Sequence, residues 1–436
     1  MTESKRNALA TALLVSLALL LFADVVFFGR AFFFRDLTRF YYPTKKLLHD
    51  ILASGEFPFW NPTTAAGQPL AANPDYGTFY PGQWLLLLPG FDFWFRLHIV
   101  LHFALAAVGA FVLLRRLTSR IESAFFGAVV FGFGGLTLGL SCLLPYLYCI
   151  AWLPWVLWAV ERRRFALTAI FLAMAMLGGE PVTIAQVCLL TLAFAAVCRP
   201  PLAGRRAEAG PHTVRVVART ALAMLGAAVV AAVQIIPAAD LLRDTARVQG
   251  FPFEMVSKWS TPPIRIAELF IPQLTGVAAE HFRMYWGTAK YGWLDPFYPA
   301  IYFGIIPAAL AFAAMTRRVF AALVVSCILA IGIHTPLLRW LYDAHLFRSF
   351  RYPEKFLILG LVPLMLFSAI AFDRSLANAR IAKRAAMIAA AVSLIAIALL
   401  AMSFRSSYAR AFVEFWGIGI SPFAAQMAGL SRGVWL

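Results

Sequence analysis

An all-α polytopic membrane protein, with about eleven transmembrane helices and long connecting loops, is the fold class this sequence predicts. Three observations carry it. Hydrophobic residues fill 61% of the 436 positions and charged residues only 14%, which is too apolar for a water-soluble domain. The apolar residues fall in runs of roughly 20, the length of helix that crosses ~30 Å of hydrocarbon, with short polar punctuation between them. Alternation with a period of two is absent, which disfavours a barrel.

In chain order the spans are expected near residues 8–28, 93–114, 121–141, 144–160, 165–179, 182–198, 217–239, 298–315, 319–334, 356–372 and 384–403. The first resembles a secretory leader, because Lys5 and Arg6 precede a long apolar run. It ends, however, in VVFFGRAFFF with no small-x-small cleavage site, so a retained helix is expected. Basic residues crowd one set of connections: Lys5 and Arg6; Arg115, Arg116 and Arg120; Arg162 to Arg164; Arg199, Arg205, Arg206, Arg215 and Arg219; Arg317 and Arg318; Arg374, Arg380, Lys383 and Arg384. All of them fall on the cytoplasmic face if the N-terminus is cytoplasmic, as the positive-inside rule requires.

The transmembrane domain then covers 1–403. Its long extracytoplasmic loops are 29–92, 240–297 and 335–355, its cytoplasmic loop is 199–216, and 404–436 is a short extracytoplasmic tail. The formal charge of +17 is mostly this topology signal, so nucleic acid is not an expected partner. Cys142, Cys149, Cys188, Cys198 and Cys327 lie in or at the ends of apolar spans and read as packing residues.

Chemistry is expected in the long loops. In the first, Pro43 is placed to open a helix and Gly55 to close it, with Leu47, Leu48, Ile51 and Leu52 on one face and Lys45, Lys46, His49 and Asp50 on the other. Such a helix would lie in the membrane interface. The following EFPFWNPTTAAGQPLAANPDYGTFYPGQW combines turn residues with rings that favour the headgroup layer.

Seven landmarks follow one another in order: RDLTRFYYP at 35–43, GEFPFWNPTTAAGQPLAANP at 55–74, YCIAWLPWVLWAVE at 148–161, GGEPVTIAQ at 178–186, AAVQIIPAADLLRDTAR at 231–247, IPQLTG at 271–276 and FRYPEKF at 350–356. In these the chain resembles the YfhO-like family of bacterial membrane proteins, within the C-type glycosyltransferases that use polyprenyl-phosphate sugars. Fuller members of that family continue well beyond this length. The resemblance implies a C-type glycosyltransferase-like fold in a bacterial inner membrane. The implied reaction is sugar transfer from a polyprenyl-phosphate carrier to a lipid, glycan or protein acceptor on the extracytoplasmic side. It also implies a carboxylate just past the first helix as base or acceptor-positioning group, and Asp36 matches that position. Activating a hydroxyl for attack at an anomeric carbon independently needs such a carboxylate.

Arg35 and Arg39 are near enough in sequence to pair with Asp36, and an ion pair is the plain alternative to catalysis. Glu180 is the second candidate, held near the membrane surface by the Gly178, Gly179 and Pro181 turn; polarity alone is its plain reading. Arg39, Arg247, Arg351 and Lys355 are candidates to hold phosphate, against interfacial anchoring. Asp24 reads as a snorkelling residue and Gln234 as hydrogen-bonding glue within the bundle. His98 and His102, four apart, are expected to bond within the bundle rather than bind metal. No nucleotide-binding loop is required, and the sequence specifies no certain cofactor; some relatives of the fold use a divalent ion, and here Asp36 and Glu180 would share it. A transporter or lipid flippase and a non-catalytic envelope-assembly protein are the other classes, the first disfavoured by the scarcity of ionisable residues at mid-membrane depth.

Overall fold

The computed structural model describes residues 2–64, 66–198, 209–275 and 296–403. The tail at 404–436 and parts of the loops 199–216 and 240–297 lie outside the described residues. The chain divides into two compact units, Met1–Phe133 with Leu140–Gln249, and Gly134–Gly139 with Gly250–Leu436.

Helices dominate both units; the described strands are the two-residue pair Trp60–Asn61 and Gln68–Pro69, antiparallel with Trp60 opposite Pro69. Among the described residues, eight helices are long and apolar enough to cross a membrane: Glu3–Leu21, Phe91–Leu117, Ile121–Cys142, Leu144–Glu161, Thr213–Val230, Arg317–His334, Pro353–Ala377 and Ala379–Leu399. Each coincides with an expected span. The expected spans 165–179 and 182–198 are the shorter apolar helices Phe165–Leu177 and Pro181–Val197, of 13 and 17 residues. At 1.5 Å per residue they reach about 20 and about 26 Å.

The expected span 298–315 differs most, because only Ile305–Ala313 is helical there, nine residues in all. The stretch before it spends its backbone elsewhere. Phe297 and Tyr298 donate their N–H groups to the Glu354 carboxylate at 3.2 and 3.0 Å, and the Tyr302 carbonyl accepts from Gly135 N–H at 2.7 Å. A methyl on Gly135 would sit 2.4 Å from that carbonyl, so glycine is what lets the two backbones meet.

In the first unit Phe91–Leu117 is the hub, packed against Glu3–Leu21, Ile121–Phe133 and Leu144–Glu161. Gly132 permits the closest approach, since a Cβ there would lie 2.5 Å from that of Ala107. One end of the hub is tied down by charge. Arg116 forks onto the buried Glu161 at 3.2 and 3.3 Å, and Arg115 reaches Glu3 at 2.7 Å. Leu144–Glu161 continues the packing to Phe165–Leu177 and Pro181–Val197, which Ala209–Val230 covers.

The second unit packs Ile305–Ala313 against Ile358–Ala377 and Ala379–Ser403, with Arg317–Ile331 also on Ile358–Ala377. Its polar centre is Arg265, fully buried. The guanidinium bonds Glu268 at 3.2 Å, Glu354 and the Tyr298 carbonyl, while the Thr275 N–H and hydroxyl satisfy Glu268.

Candidate functional site

Asp36 stands at an unusual bend. Arg35 before it takes a left-handed backbone, φ 47°, and Leu37–Tyr41 after it forms a π-turn closed by Tyr42 N–H on the Leu37 carbonyl. A non-glycine residue in that region costs of order 1–3 kcal/mol, and π-turns are enriched at functional sites. Leu37 and Tyr41 anchor the turn by their burial, leaving Asp36 and Arg39 exposed. Asp24, nearer the first helix, is 3.6 Å from Arg30, in keeping with an interfacial residue.

The helix expected between Pro43 and Gly55 is present as Tyr42–Ala53 with proline in its first turn. Leu48 packs on Leu70 and Tyr76, with Leu47, Ile51 and Leu52 partly buried beside them. Lys45 departs from expectation: it is not on the polar face but 1% exposed, its ammonium donating to the Tyr76 carbonyl. It lies three residues before Leu48 and seven before Leu52, which is the apolar stripe of a helix; position, not charge, decided its face. Burial lowers its amine from 10.5 to about 7, and the Asp75 charge offsets part of that fall.

Asn73 caps the turn that carries Asp75 by accepting its N–H at 3.1 Å, and this turn meets the second candidate carboxylate. Gly179, at φ 121°, lies so close to the Pro74 carbonyl that a Cβ would fall 2.3 Å from the oxygen. Glu180 follows, buried at the N-terminus of Pro181–Val197, where its carboxylate accepts the Thr183 N–H. A helix N-terminus stabilises such a charge. Gly179→Ala combines a forbidden backbone with a clash and is expected to cost roughly 2–4 kcal/mol, read as a lower melting temperature of the solubilised protein.

These segments converge on Tyr41. Burial raises its phenol well above the ordinary value, and the nearby charges of Asp75, Asp36 and Glu180 raise it further. The two carboxylates singled out in the sequence therefore share an electrostatic neighbourhood with a third, Asp75, that sequence reasoning missed. Among these three only Asp36 is exposed.

Behind the loop lies a buried hydrogen-bonded network. Tyr80 hydroxyl is 2.6 Å from His102 Nε2 and accepts from Trp152 Nε1 at 2.9 Å; His102 Nδ1 is 2.7 Å from the His98 carbonyl, and His98 Nε2 is 3.0 Å from the Tyr148 hydroxyl. The two histidines thus bond within the bundle. Gln234 donates to the carbonyls of Ala71 and Ala72 at 3.2 and 3.3 Å, so its partner is the first long loop rather than a neighbouring helix. Among the described residues no group of three or more histidine, cysteine or acidic side chains is arranged to hold a metal ion.

The remaining candidates lie elsewhere. Arg247 is half-buried in the short helix Ala246–Gln249 at the end of the first unit. In the second unit Arg351 sits over the Phe251 and Tyr352 rings, 4.8 and 4.9 Å from their centres. Lys355 is buried over Phe297 and the same Tyr352, at 5.3 and 5.4 Å. Cation–π contact of this kind holds a charge in place without neutralising it. Comparison of the chain with protein-family models, with curated proteins and with solved structures found no match.

Proposed function

We propose that the chain is a membrane glycosyltransferase that moves a sugar from a polyprenyl-phosphate carrier to a lipid, glycan or protein acceptor at the extracytoplasmic face of a bacterial inner membrane. The observation that supports this best is that Asp36 and Asp75 of the first long loop and Glu180 of the turn before Pro181–Val197 all act electrostatically on one buried phenol. In this reading Asp36 takes the proton of the acceptor hydroxyl as its oxygen attacks the anomeric carbon. The bond from that carbon to phosphate oxygen breaks, and the lipid phosphate leaves with the electron pair.

The transition state of such a transfer carries positive charge on the sugar, so fixed carboxylates nearby lower its energy. Glu180, held by its helix cap, and Asp75, held by the Asn73 turn, suit that role. Arg39, exposed in the same turn as Asp36, offers a planar donor fork to the departing phosphate. The phosphate role of Arg247, Arg351 and Lys355 rests on their sequence motifs alone. The test is to incubate the purified full chain, with a membrane extract as acceptor, with a panel of radiolabelled polyprenyl-phosphate sugars. Label is expected to move from one of these donors; a folded protein that turns over none of them removes the reading.

A further inference from the structure

Lys45 is deeply buried beside polar groups whose hydrogen bonds are incomplete. Its ammonium has three N–H donors, and the bond described for it is to the Tyr76 carbonyl. The Gln83 carboxamide, 3% exposed, lies beside the Tyr148 hydroxyl. Among the described residues neither its oxygen nor its nitrogen has a hydrogen-bond partner. The Thr78 hydroxyl, 8% exposed, has none either.

Gly77 joins the two donors. A Cβ built on it would sit 3.3 Å from Lys45 Nζ, 3.4 Å from Gln83 Nε2 and 3.8 Å from the Gly178 carbonyl oxygen, so both nitrogens border its bare Cα, with one backbone acceptor farther off. Folded proteins leave few buried polar groups unsatisfied, and several in one place suit a water or a bound polar group that completes their hydrogen bonds. Two N–H donor groups facing one point, one of them an ammonium, suit a strongly accepting anionic oxygen.

We infer that Lys45 and Gln83 form an anion subsite that takes a phosphate oxygen. The inference rests on the transferase reading for the source of that phosphate, the polyprenyl monophosphate end of the carrier. Held out of water, an ammonium acts on phosphate far more strongly than a surface arginine does. Asp75, in its own loop region, acts on the Lys45 charge, and that charge in turn acts on His98 and His102 of Phe91–Leu117. Because burial lowers the Lys45 amine to about 7, anion affinity should fall as pH rises through that value.

The experiment uses the full chain in nanodiscs as wild type, Lys45→Met and Gln83→Leu. Binding is measured for a polyprenyl monophosphate, the matching polyprenol and inorganic phosphate, from about pH 6 to about pH 9. The wild type is expected to prefer the monophosphate over the polyprenol and to weaken as pH rises. Lys45→Met is expected to bind about tenfold more weakly and to lose the pH dependence, and Gln83→Leu to lose a smaller factor. Inorganic phosphate bound with the same dependence on Lys45, and as well as the lipid, keeps the subsite and assigns it to free phosphate.

Unchanged monophosphate binding in both variants overturns the inference, leaving Lys45 as a prop for the Tyr76 carbonyl. Should Lys45→Met fail to insert, Gln83→Leu carries the test, since it removes no charge. Binding is read without sugar transfer, which separates this inference from the reading beneath it. A Lys45-dependent phosphate site in a chain that transfers no sugar keeps the subsite and removes the transferase; unchanged binding in an active transferase does the reverse.

Discussion

Replacing Asp36 by asparagine is expected to cut sugar transfer by roughly 10²- to 10⁴-fold, the usual contribution of a general base, while leaving the protein folded and inserted. The side chain is exposed and the turn is anchored by its neighbours Leu37 and Tyr41, so the amide fits where the carboxylate was. What the amide cannot do is take a proton. A loss in kcat with KM little changed, alongside an unchanged melting temperature, is the expected pattern. Substitution of Arg39 by alanine should instead raise the KM for the lipid donor. An Asp36→Asn protein that transfers at the wild-type rate would rule out the base.

The second large effect concerns stability. Arg265→Met is expected to destabilise the second unit by about 3–5 kcal/mol, because it leaves Glu268 and Glu354 buried without their cation. The carboxylates retain their backbone donors, Phe297, Tyr298 and Thr275. Those hydrogen bonds orient a charge but do not neutralise two of them at close quarters. Thermal unfolding of the solubilised protein, followed by accessibility of Cys327, reports on this unit directly. A melting temperature within a degree or so of wild type would show that the buried guanidinium is not what holds the segments 263–269 and 353–357 together.

The helices were legible in the sequence because apolar runs of membrane length have few other uses. The same signal misled at 298–315, where the residues are apolar but Pro299 and Gly304 interrupt them and a distant carboxylate claims the N–H groups. Hydropathy reports how a side chain partitions and is silent about where a backbone bonds. The helix Tyr42–Ala53 was readable from Pro43 and Gly55, yet Lys45 was assigned to its polar face by charge when the spacing to Leu48 and Leu52 already placed it on the apolar one. Asp36 and Glu180 could be named from their positions in the chain. That Asp75 stands with them around Tyr41 could not, since it depends on Gly179 meeting Pro74 across more than a hundred residues of sequence.

Glu354 also sets an order of events during synthesis. The carboxylate that receives the N–H groups of Phe297 and Tyr298 is made 57 and 56 residues after them. At ribosomal speeds of about 5–20 residues per second, those groups wait for roughly 3 to 11 s before their partner exists. Through that interval the nascent segment has to be sheltered by water, by the insertion machinery or by temporary turns. Damage at Glu354 should therefore be felt first as failed biogenesis, with chains degraded before assembly, rather than as weakness in molecules that have already matured.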